Sequence, residues 1–301
     1  MSEENVRQHT VPKVYLKHFS FKKKNTLCLY ALDKRSGKLF ECNIDDASVV
    51  KHFYTLKYNE DNKIWENYYA NEVEPSIETT IGNLVKFAES PLINDRVVLF
   101  DSKSKNIIAG LMAVQFTRGM NARVYQEQLF EEYLPQAREQ LHNDLITIPD
   151  DQIDIILEKY ASDDEMKKLL FAAATVHSNA SGNIQSMIAG RKWVLYRLSN
   201  GDGDFITSDN PILFLNDMTG NAKPFQNGLR ESEVTVYFSI SPKLMIACYH
   251  QDRFVPENRL VVLNSRKDAD WVHNVNRAYY EQCNRQCFAR SRDWLELIRN
   301  N

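Results

Sequence analysis

The chain has 301 residues, of which 43% are hydrophobic and 26% charged, and its 37 basic and 40 acidic residues leave a formal net charge of −3. This composition excludes a chain that is disordered throughout, and the near balance of charge argues against a protein that coats nucleic acid over its whole surface. A local basic cleft stays compatible with it. The length is sufficient for one large domain with a substantial core.

The start of the chain and its cysteines bear on the compartment. Met1–Asn5 contains no apolar segment of the kind that a signal peptide needs, and no run approaches the roughly 18 apolar residues of a membrane span. The cysteine count is odd and the spacing is scattered: Cys28, Cys42, Cys248, Cys283 and Cys287. We therefore expect a cytoplasmic protein with reduced thiols and no membrane contact.

The first region, residues 8–60, has the pattern of short strands. The apolar run Thr26–Leu32 leads into a turn signal at Asp33–Gly37, and Lys38–Cys42 follows as a hairpin partner. Another short strand is predicted over His52–Leu56. This region is expected to be strand-rich.

The second region, residues 63–190, shows the 3.6-residue period of helices. The periodic segments are Ile64–Glu89, Lys103–His142, Gln152–Tyr160 and Asp163–Ala189. Pro75 and Pro135 are expected to break or kink the first two helices. Ser162 and Glu165 have the spacing of a capping box, which predicts a helix start at Ser162.

The third region, residues 191–290, returns to strands. These are predicted over Trp193–Leu198, Phe205–Thr207, Val234–Ser239, Leu244–Cys248 and Leu260–Leu263, with a helix over Asp268–Tyr280. Strands at both ends of a helical middle region predict an α+β fold. We expect the N- and C-terminal strands to share one mostly antiparallel sheet, in a single domain that spans residues 1–301.

Polar residues interrupt the apolar stripe of the helix from Lys103. The stripe consists of Ile107, Leu111, Val114, Ala122, Tyr125 and Leu129. Gln115 and Arg118 fall inside it. Since a buried guanidinium is costly unless paired, Arg118 needs a carboxylate, a phosphate or several carbonyls. Both a structural ion pair and a substrate contact satisfy this requirement.

Two acids stand on another predicted helix face. Glu66 and Glu74 share a face with Ile77 if the helix runs through Pro75, and there they could pair with Arg118, hold a metal ion or do acid–base chemistry. If proline interrupts the helix, Glu74 instead marks a helix start, where a carboxylate suits the helix dipole.

His9 and Asp209 lie outside the helical pattern. His9 precedes Pro12 in an extended segment and is free to enter a site. Asp209 follows a predicted strand in Thr207–Pro211, which indicates a turn but is also a common place for a catalytic carboxylate. His177, on the apolar face of the last helix, is interpreted as a core residue. No phosphate-binding loop, zinc-protease, nucleophile-elbow or dinucleotide fingerprint occurs.

Several short motifs, taken in order, resemble those of one family. They are His9-x-Val11-Pro12-x-x-Tyr15-Leu16-x-x-Phe19, Phe53-Tyr54, the acids Glu66 and Glu74, Gln115-Phe116-Thr117-Arg118, Trp193-Val194-Leu195, Phe205 to Pro211, Ser239-Ile240-Ser241-Pro242 and Val262-Leu263-Asn264. The ordered set is similar to the DUF4238 proteins, a mostly bacterial family of unknown function. Gly119 after Arg118, and Ile240 in place of a leucine, depart from the pattern.

The resemblance spans nearly the whole chain and implies one domain, but it implies no reaction. Its polar motif positions coincide with the six residues that the pattern analysis found unusual, and we take these as the candidate site: His9, Glu66, Glu74, Gln115, Arg118 and Asp209.

The first functional hypothesis is a metal-dependent phosphodiester hydrolase, a nuclease of the toxin or phage-defence type acting on nucleic acid. Glu66, Glu74 and Asp209 would hold Mg²⁺ or Mn²⁺ or act as bases. His9 would act as a general acid or a ligand. Arg118, oriented by Gln115, would stabilise the charge that develops on the phosphate.

The alternative is a non-catalytic module that binds a partner or ligand, in which the six polar residues form a buried structural network. Surface contacts would then come from Lys17, Lys22–Lys24 and the aromatic pair Tyr68 and Tyr69. A third hypothesis, a metal-free hydrolase that uses Ser208 or a cysteine as nucleophile, needs His9 or His177 nearby as a base for Ser208.

Overall fold

The computed structural model describes residues 7–53, 67, 69–90, 100–144, 148–168, 180–199, 203–223 and 225–300. The strands in these ranges are β1 Arg7–His9, β2 Phe21–Lys23, β3 Thr26–Asp33, β4 Leu39–Asn43, β5 Val49–Lys51, β6 Lys192–Leu198, β7 Thr207–Ser208, β8 Ile212–Asn216, β9 Val234–Ser241, β10 Leu244–Tyr249, β11 Arg259–Leu263 and β12 Gln286–Ala289. The α-helices are α1 Lys13–Leu16, α2 Glu74–Ala88, α3 Ser102–Arg118, α4 Met120–Asp144, α5 Asp150–Ser162, α6 Ala180–Ala189, α7 Ser265–Gln282 and α8 Arg292–Asn300. A 3₁₀ turn covers Lys17–Phe19, a π-helix covers Tyr69–Val73, and residues 164–168 are helical.

The central sheet has five strands in the order β11-β6-β10-β9-β8. Only the β11–β6 pair is parallel. Every residue of β9 and of β10 is buried, so both faces of the sheet must be covered.

The alternation of side chains along each strand divides the central sheet into two faces. Leu195, Phe238 and Ile246 project into one core, together with buried residues of α2, α3 and α6. The neighbouring residues Val194 and Ala247 project into the other core, where α7 packs. The two faces therefore carry separate layers.

A second sheet joins the two ends of the chain. β3 pairs with β4 on one side and with β2 and β12 on the other, and β12 pairs in turn with β7. A further two-stranded sheet joins β1 to β5. The α+β class is confirmed and the terminal strands do share a sheet, but the described chain forms three sheets, and most strands of the third region pair among themselves.

The long helix predicted from Lys103 ends earlier than its periodicity suggests. Gly119 adopts extended backbone dihedrals (φ −75°, ψ 167°), so that α3 stops at Arg118 and α4 begins at Met120 and continues through Pro135. The predicted stripe is also displaced, because Ile107 is 40% exposed while Ile108 is buried. The helix does not break at Pro135, and Gly119 is the actual boundary.

The helix start predicted at Ser162 lies one residue further along. Ser162 is the last residue of α5, and its hydroxyl donates to the Lys159 carbonyl. The Asp163 carboxylate accepts hydrogen bonds from the backbone N–H groups of Glu165 and Met166, at 2.8 and 3.3 Å. Asp163 is therefore the capping residue, since a carboxylate caps as well as a serine hydroxyl does. His177 lies outside the described residues.

Two further predictions were reduced thiols and the absence of a membrane-spanning segment. All five cysteines are described, and none of them forms a disulfide. No helix in the described part of the chain has the length and hydropathy needed to cross a membrane.

Candidate functional site

The last turn of α3 carries two polar side chains into the core. Gln115 is 6% exposed and Arg118 is 1% exposed, and their three-residue spacing puts them on one face of the helix. Gln115 Nε2 donates to the Thr10 carbonyl oxygen at 3.0 Å, and Arg118 Nε donates to the same oxygen at 3.4 Å. The predicted burial of both residues is confirmed, and a backbone carbonyl is among the partners of the guanidinium.

An aromatic ring also contacts the guanidinium. The Arg118 Cζ atom lies 4.5 Å from the centroid of the Tyr69 ring, a cation–π distance. Tyr69 is only 5% exposed. It therefore supports the core, and the prediction that Tyr69 offers a surface contact was wrong.

Thr10 is also hydrogen-bonded to Ser48, the residue that precedes β5. Its backbone N–H donates to the Ser48 carbonyl at 3.0 Å, and the two hydroxyl groups lie 2.6 Å apart. Since both residues are buried, this pairing holds the Thr10 carbonyl in place for α3. We call His9, Thr10, Tyr69, Gln115 and Arg118 the Thr10 cluster.

Two buried polar atoms of the Thr10 cluster, His9 Nε2 and Gln115 Oε1, have no hydrogen-bond partner among the described residues. Burial lowers the pKa of His9, and the nearby charge of Lys13 lowers it further. The imidazole is thus neutral near pH 7. Because buried polar atoms in proteins normally have partners, these two atoms indicate room for a water or a ligand group.

Asp209 is held in a different setting, the turn between α7 and β12. Its carboxylate accepts the backbone N–H groups of Asn284, Arg285 and Gln286 at 2.9, 2.7 and 3.0 Å. Burial raises the pKa of Asp209 to about 6, although the three backbone hydrogen bonds act to lower it. The carboxylate therefore serves as the acceptor that orders this turn.

The loop that carries Asp209 also approaches α3. Asn210 Oδ1 lies 3.9 Å from the position that a Cβ on Gly119 would occupy. The strand-end loop and the last turn of α3 are therefore neighbours, while the Asp209 carboxylate itself is engaged by the α7–β12 turn.

Of the two acids predicted to lie near Asp209, Glu74 is among the described residues. Glu66 lies outside the described residues. Glu74 is half-buried and is the first residue of α2, but the π-helix Tyr69–Val73 leads directly into it, so Pro75 does not interrupt the helical run. The π-helix Tyr69–Val73 before it is a rare conformation that is frequent at functional sites.

The residues present fit a divalent cation poorly at Asp209. Its oxygens face three N–H dipoles, whose positive ends occupy the space that a cation would need. In the described ranges no three His, Cys, Asp or Glu residues stand close enough to hold a metal ion. A site built from Glu66, Glu74 and Asp209 stays a prediction.

Ser208 and the lysine run have local roles. Ser208 is fully buried, and its hydroxyl donates to the Asn210 carbonyl at 2.8 Å, which engages the proposed nucleophile within its own turn. Lys23 pairs with Glu41 at 2.8 Å, and Lys24 occupies the tight turn between β2 and β3 with φ 54°.

Sequence reasoning missed Gln282, which joins β8 to α4. Its side chain accepts from the Phe214 N–H and donates to the Ile212 carbonyl at 2.9 and 2.7 Å. Asn121 Nδ2 donates to the Gln282 backbone carbonyl at 2.9 Å. Gln282 is the last residue of an amphipathic helix, so no periodicity signal distinguished it.

These features define an α+β protein whose central sheet separates a buried polar cluster from a second core. The family model described as "Protein of unknown function (DUF4238)" matches residues 7–293, so the chain belongs to the DUF4238 family, as the ordered motifs suggested. Comparison with curated proteins gives no match, and comparison with solved structures gives none either.

Proposed function

We propose that this protein is a non-catalytic binding module and that its family polar residues form a structural network. The observation that carries the proposal is the environment of Asp209. Its carboxylate is buried and accepts three backbone hydrogen bonds, so it orders a turn and is shielded from substrate and metal.

The Thr10 cluster supports the same proposal. Gln115 and Arg118 both bond to one carbonyl, and that carbonyl belongs to a residue pinned to Ser48. Such shared contacts fix the N-terminal segment against α3. A buried network of this kind specifies one arrangement of the core.

A second candidate, metal-dependent phosphodiester hydrolysis, is favoured by the two buried atoms without partners. His9 precedes Thr10 in the chain, and Gln115 donates to the Thr10 carbonyl that also accepts from Arg118. A neutral imidazole can transfer a proton, and a guanidinium can stabilise charge on a phosphate. In this hypothesis Glu66 and Glu74 would supply ligands for Mg²⁺ or Mn²⁺.

A cleavage assay distinguishes the two candidates. Labelled total RNA, single-stranded DNA and duplex DNA would be incubated with the full chain in Mg²⁺, Mn²⁺ or EDTA. We expect every substrate to stay intact in each condition.

Matched variants distinguish cleavage by this protein from cleavage by a contaminating nuclease. Cleavage that disappears with EDTA and in folded Gln115→Ala, but persists in the exposed-surface control Gln140→Ala, would overturn the binding proposal and establish the hydrolase. Cleavage that is equal in all three proteins is a contaminant, and the binding proposal then stands.

A further inference from the structure

A polar cleft lies on the face of the central sheet opposite the Thr10 cluster. It has a volume of about 650 Å³ and is bounded by α7 on one side and by the ends of β8, β9 and β10 on the other. This size is within the range of small-molecule sites. No family motif discussed above contributes a polar side chain to it.

Asp217 forms the charged floor of the cleft. Its carboxylate accepts hydrogen bonds from Thr235 Oγ1 at 2.6 Å and from Tyr237 Oη at 2.9 Å, and Arg253 Nη2 lies 3.4 Å away. The side chain keeps 16% exposure, so part of the carboxylate faces the cleft. The hydroxyl groups of Thr235 and Tyr237 and the guanidinium of Arg253 therefore hold the Asp217 carboxylate in a fixed orientation.

Aromatic side chains form the wall of the cleft. Tyr237, Tyr249 and Trp271 line it, with the Tyr237 ring centroid 6.4 Å from that of Tyr249 and 6.1 Å from that of Trp271. The Tyr249 hydroxyl lies 2.8 Å from that of Tyr196. The rings support one another edge to face, which makes the wall rigid and suited to pack against a flat ring.

The charges in the cleft cancel. Arg253 is paired with Asp217, and Arg277 is paired with Glu281 at 3.2 Å. The amides of Asn216 and Asn274 add neutral donors and acceptors to the lining. A lining with no excess charge favours an uncharged ligand over a phosphate or a cation.

We propose that this cleft binds an uncharged ring compound with adjacent hydroxyl groups, which packs its ring against Trp271 and shares its hydroxyls between Asp217 and Arg253. A free sugar and the ribose of a nucleoside both carry this chemistry. Burial also raises the pKa of Asp217. The proposal goes beyond the binding module proposed above, because it involves no residue of the Thr10 cluster and would hold in a hydrolase as well.

The test is a titration of the full chain by isothermal calorimetry and saturation-transfer NMR. The probes are adenosine, guanosine, cytidine, uridine, D-ribose and D-glucose, with AMP as the charged comparison. We expect saturable binding of at least one uncharged probe, at least about ten-fold weaker binding of its charged comparison where one exists, and a contact signal from the ribose or sugar protons.

The variants Asp217→Asn and Asn274→Ala test whether the ligand binds in this cleft. The exposed Asp45→Asn is the control. We expect affinity to fall about ten-fold in Asp217→Asn, as for the loss of one charged hydrogen bond, and to stay unchanged in the control. Asn274 is exposed on α7, so Asn274→Ala is expected to fold even if Asp217→Asn does not, and to weaken binding measurably.

The results distinguish a nucleoside from a saccharide as the ligand, and they also show whether the proposal fails. Nucleoside binding without sugar binding assigns a nucleoside, and the reverse assigns a saccharide. Absence of binding by every uncharged probe to folded wild type, or binding that neither variant weakens, overturns the proposal. Neither result depends on the cleavage assay for the Thr10 cluster.

Discussion

Asp33 and Asp209, far apart in sequence, both form hydrogen bonds with Arg285. Asp33 Oδ2 accepts from Arg285 Nε at 2.8 Å, and Asp209 Oδ2 accepts the Arg285 backbone N–H at 2.7 Å. The Lys34 N–H donates to the Arg285 carbonyl at 2.7 Å. The two acids thus fix the turn from which β12 enters the sheet between β3 and β7.

The role of Asp209 predicts a large loss of stability in Asp209→Ala. The substitution leaves three partly buried backbone N–H groups without their acceptor, and a fully buried one would cost about 1–3 kcal/mol. We expect the free energy of unfolding to fall by about 3–5 kcal/mol, measured by urea denaturation. Asp46→Ala is the matched control, since its ion pair with Arg7 is more than half exposed and is worth at most about 1 kcal/mol. A loss as small as that of the control would instead favour Asp209 as a site residue.

The titration of Asp209 predicts a slope of stability with pH. Since its folded-state pKa of about 6 exceeds the ordinary value of 3.8, the folded state binds its proton more tightly than the unfolded state between these values. The contribution of this group therefore decreases as pH rises from about 4 to about 6 and is constant above that range. A ¹³C NMR titration of the carboxyl carbon should show a midpoint near 6. A midpoint at or below 4 would mean that the three N–H donors outweigh burial.

Asp33 predicts the opposite slope. Its hydrogen bond with Arg285, followed by those with Ser36, lowers the pKa of Asp33 from 3.8 to about 2. The stabilisation is therefore fully present above about pH 4 and is lost as pH falls toward about 2. The stability difference between wild type and Asp33→Asn should shrink over this interval in acid unfolding. A difference that stays constant down to pH 2 would contradict the pairing.

Periodicity predicted the strands around Thr26–Asp33 and Val234–Ser241 because hydrophobic residues there repeat with the pitch of buried strands. It did not predict which strands pair. β12 lies beside β3 through contacts far apart in sequence, and no local signal specifies them. The helix boundary at Gly119 was missed because the apolar period continues across it.

The candidate site was predictable to the extent that polar residues conflict with an apolar pattern. Gln115 and Arg118 were found in this way, and both are buried. Asp217 was not found, because it follows a strand in a polar segment where an acid is ordinary. Its partners Thr235 and Tyr237 alternate normally along β9, so only the pairing of β8 with β9 brings the three together.

Arg118→Ala is expected to be strongly destabilising. The side chain is among the largest that are fully buried, and its removal deletes a hydrogen bond to Thr10 and the contact with the Tyr69 ring. Truncation of a large buried polar side chain predicts a loss of about 3–5 kcal/mol. Thermal denaturation of this variant should be compared with that of Arg35→Ala, a residue in the exposed β3–β4 turn. Stability close to wild type would show that Arg118 is retained for binding and not for folding.

Gln115→Met tests whether the buried Gln115 Oε1 atom lacks a partner in the folded protein. The change removes one hydrogen bond to Thr10, which is worth about 1 kcal/mol. It also removes Oε1, a buried acceptor without a partner among the described residues. Burying such an unsatisfied acceptor costs the folded state about 1–3 kcal/mol. With similar volume retained, we expect the free energy of unfolding to stay equal or to rise by about 1 kcal/mol. Gln140→Met, at an exposed position of α4, is the control for a methionine placed on the surface. A loss of more than about 2 kcal/mol would mean that Oε1 has a partner in the folded protein, such as a bound water, and that Gln115 is fully satisfied there.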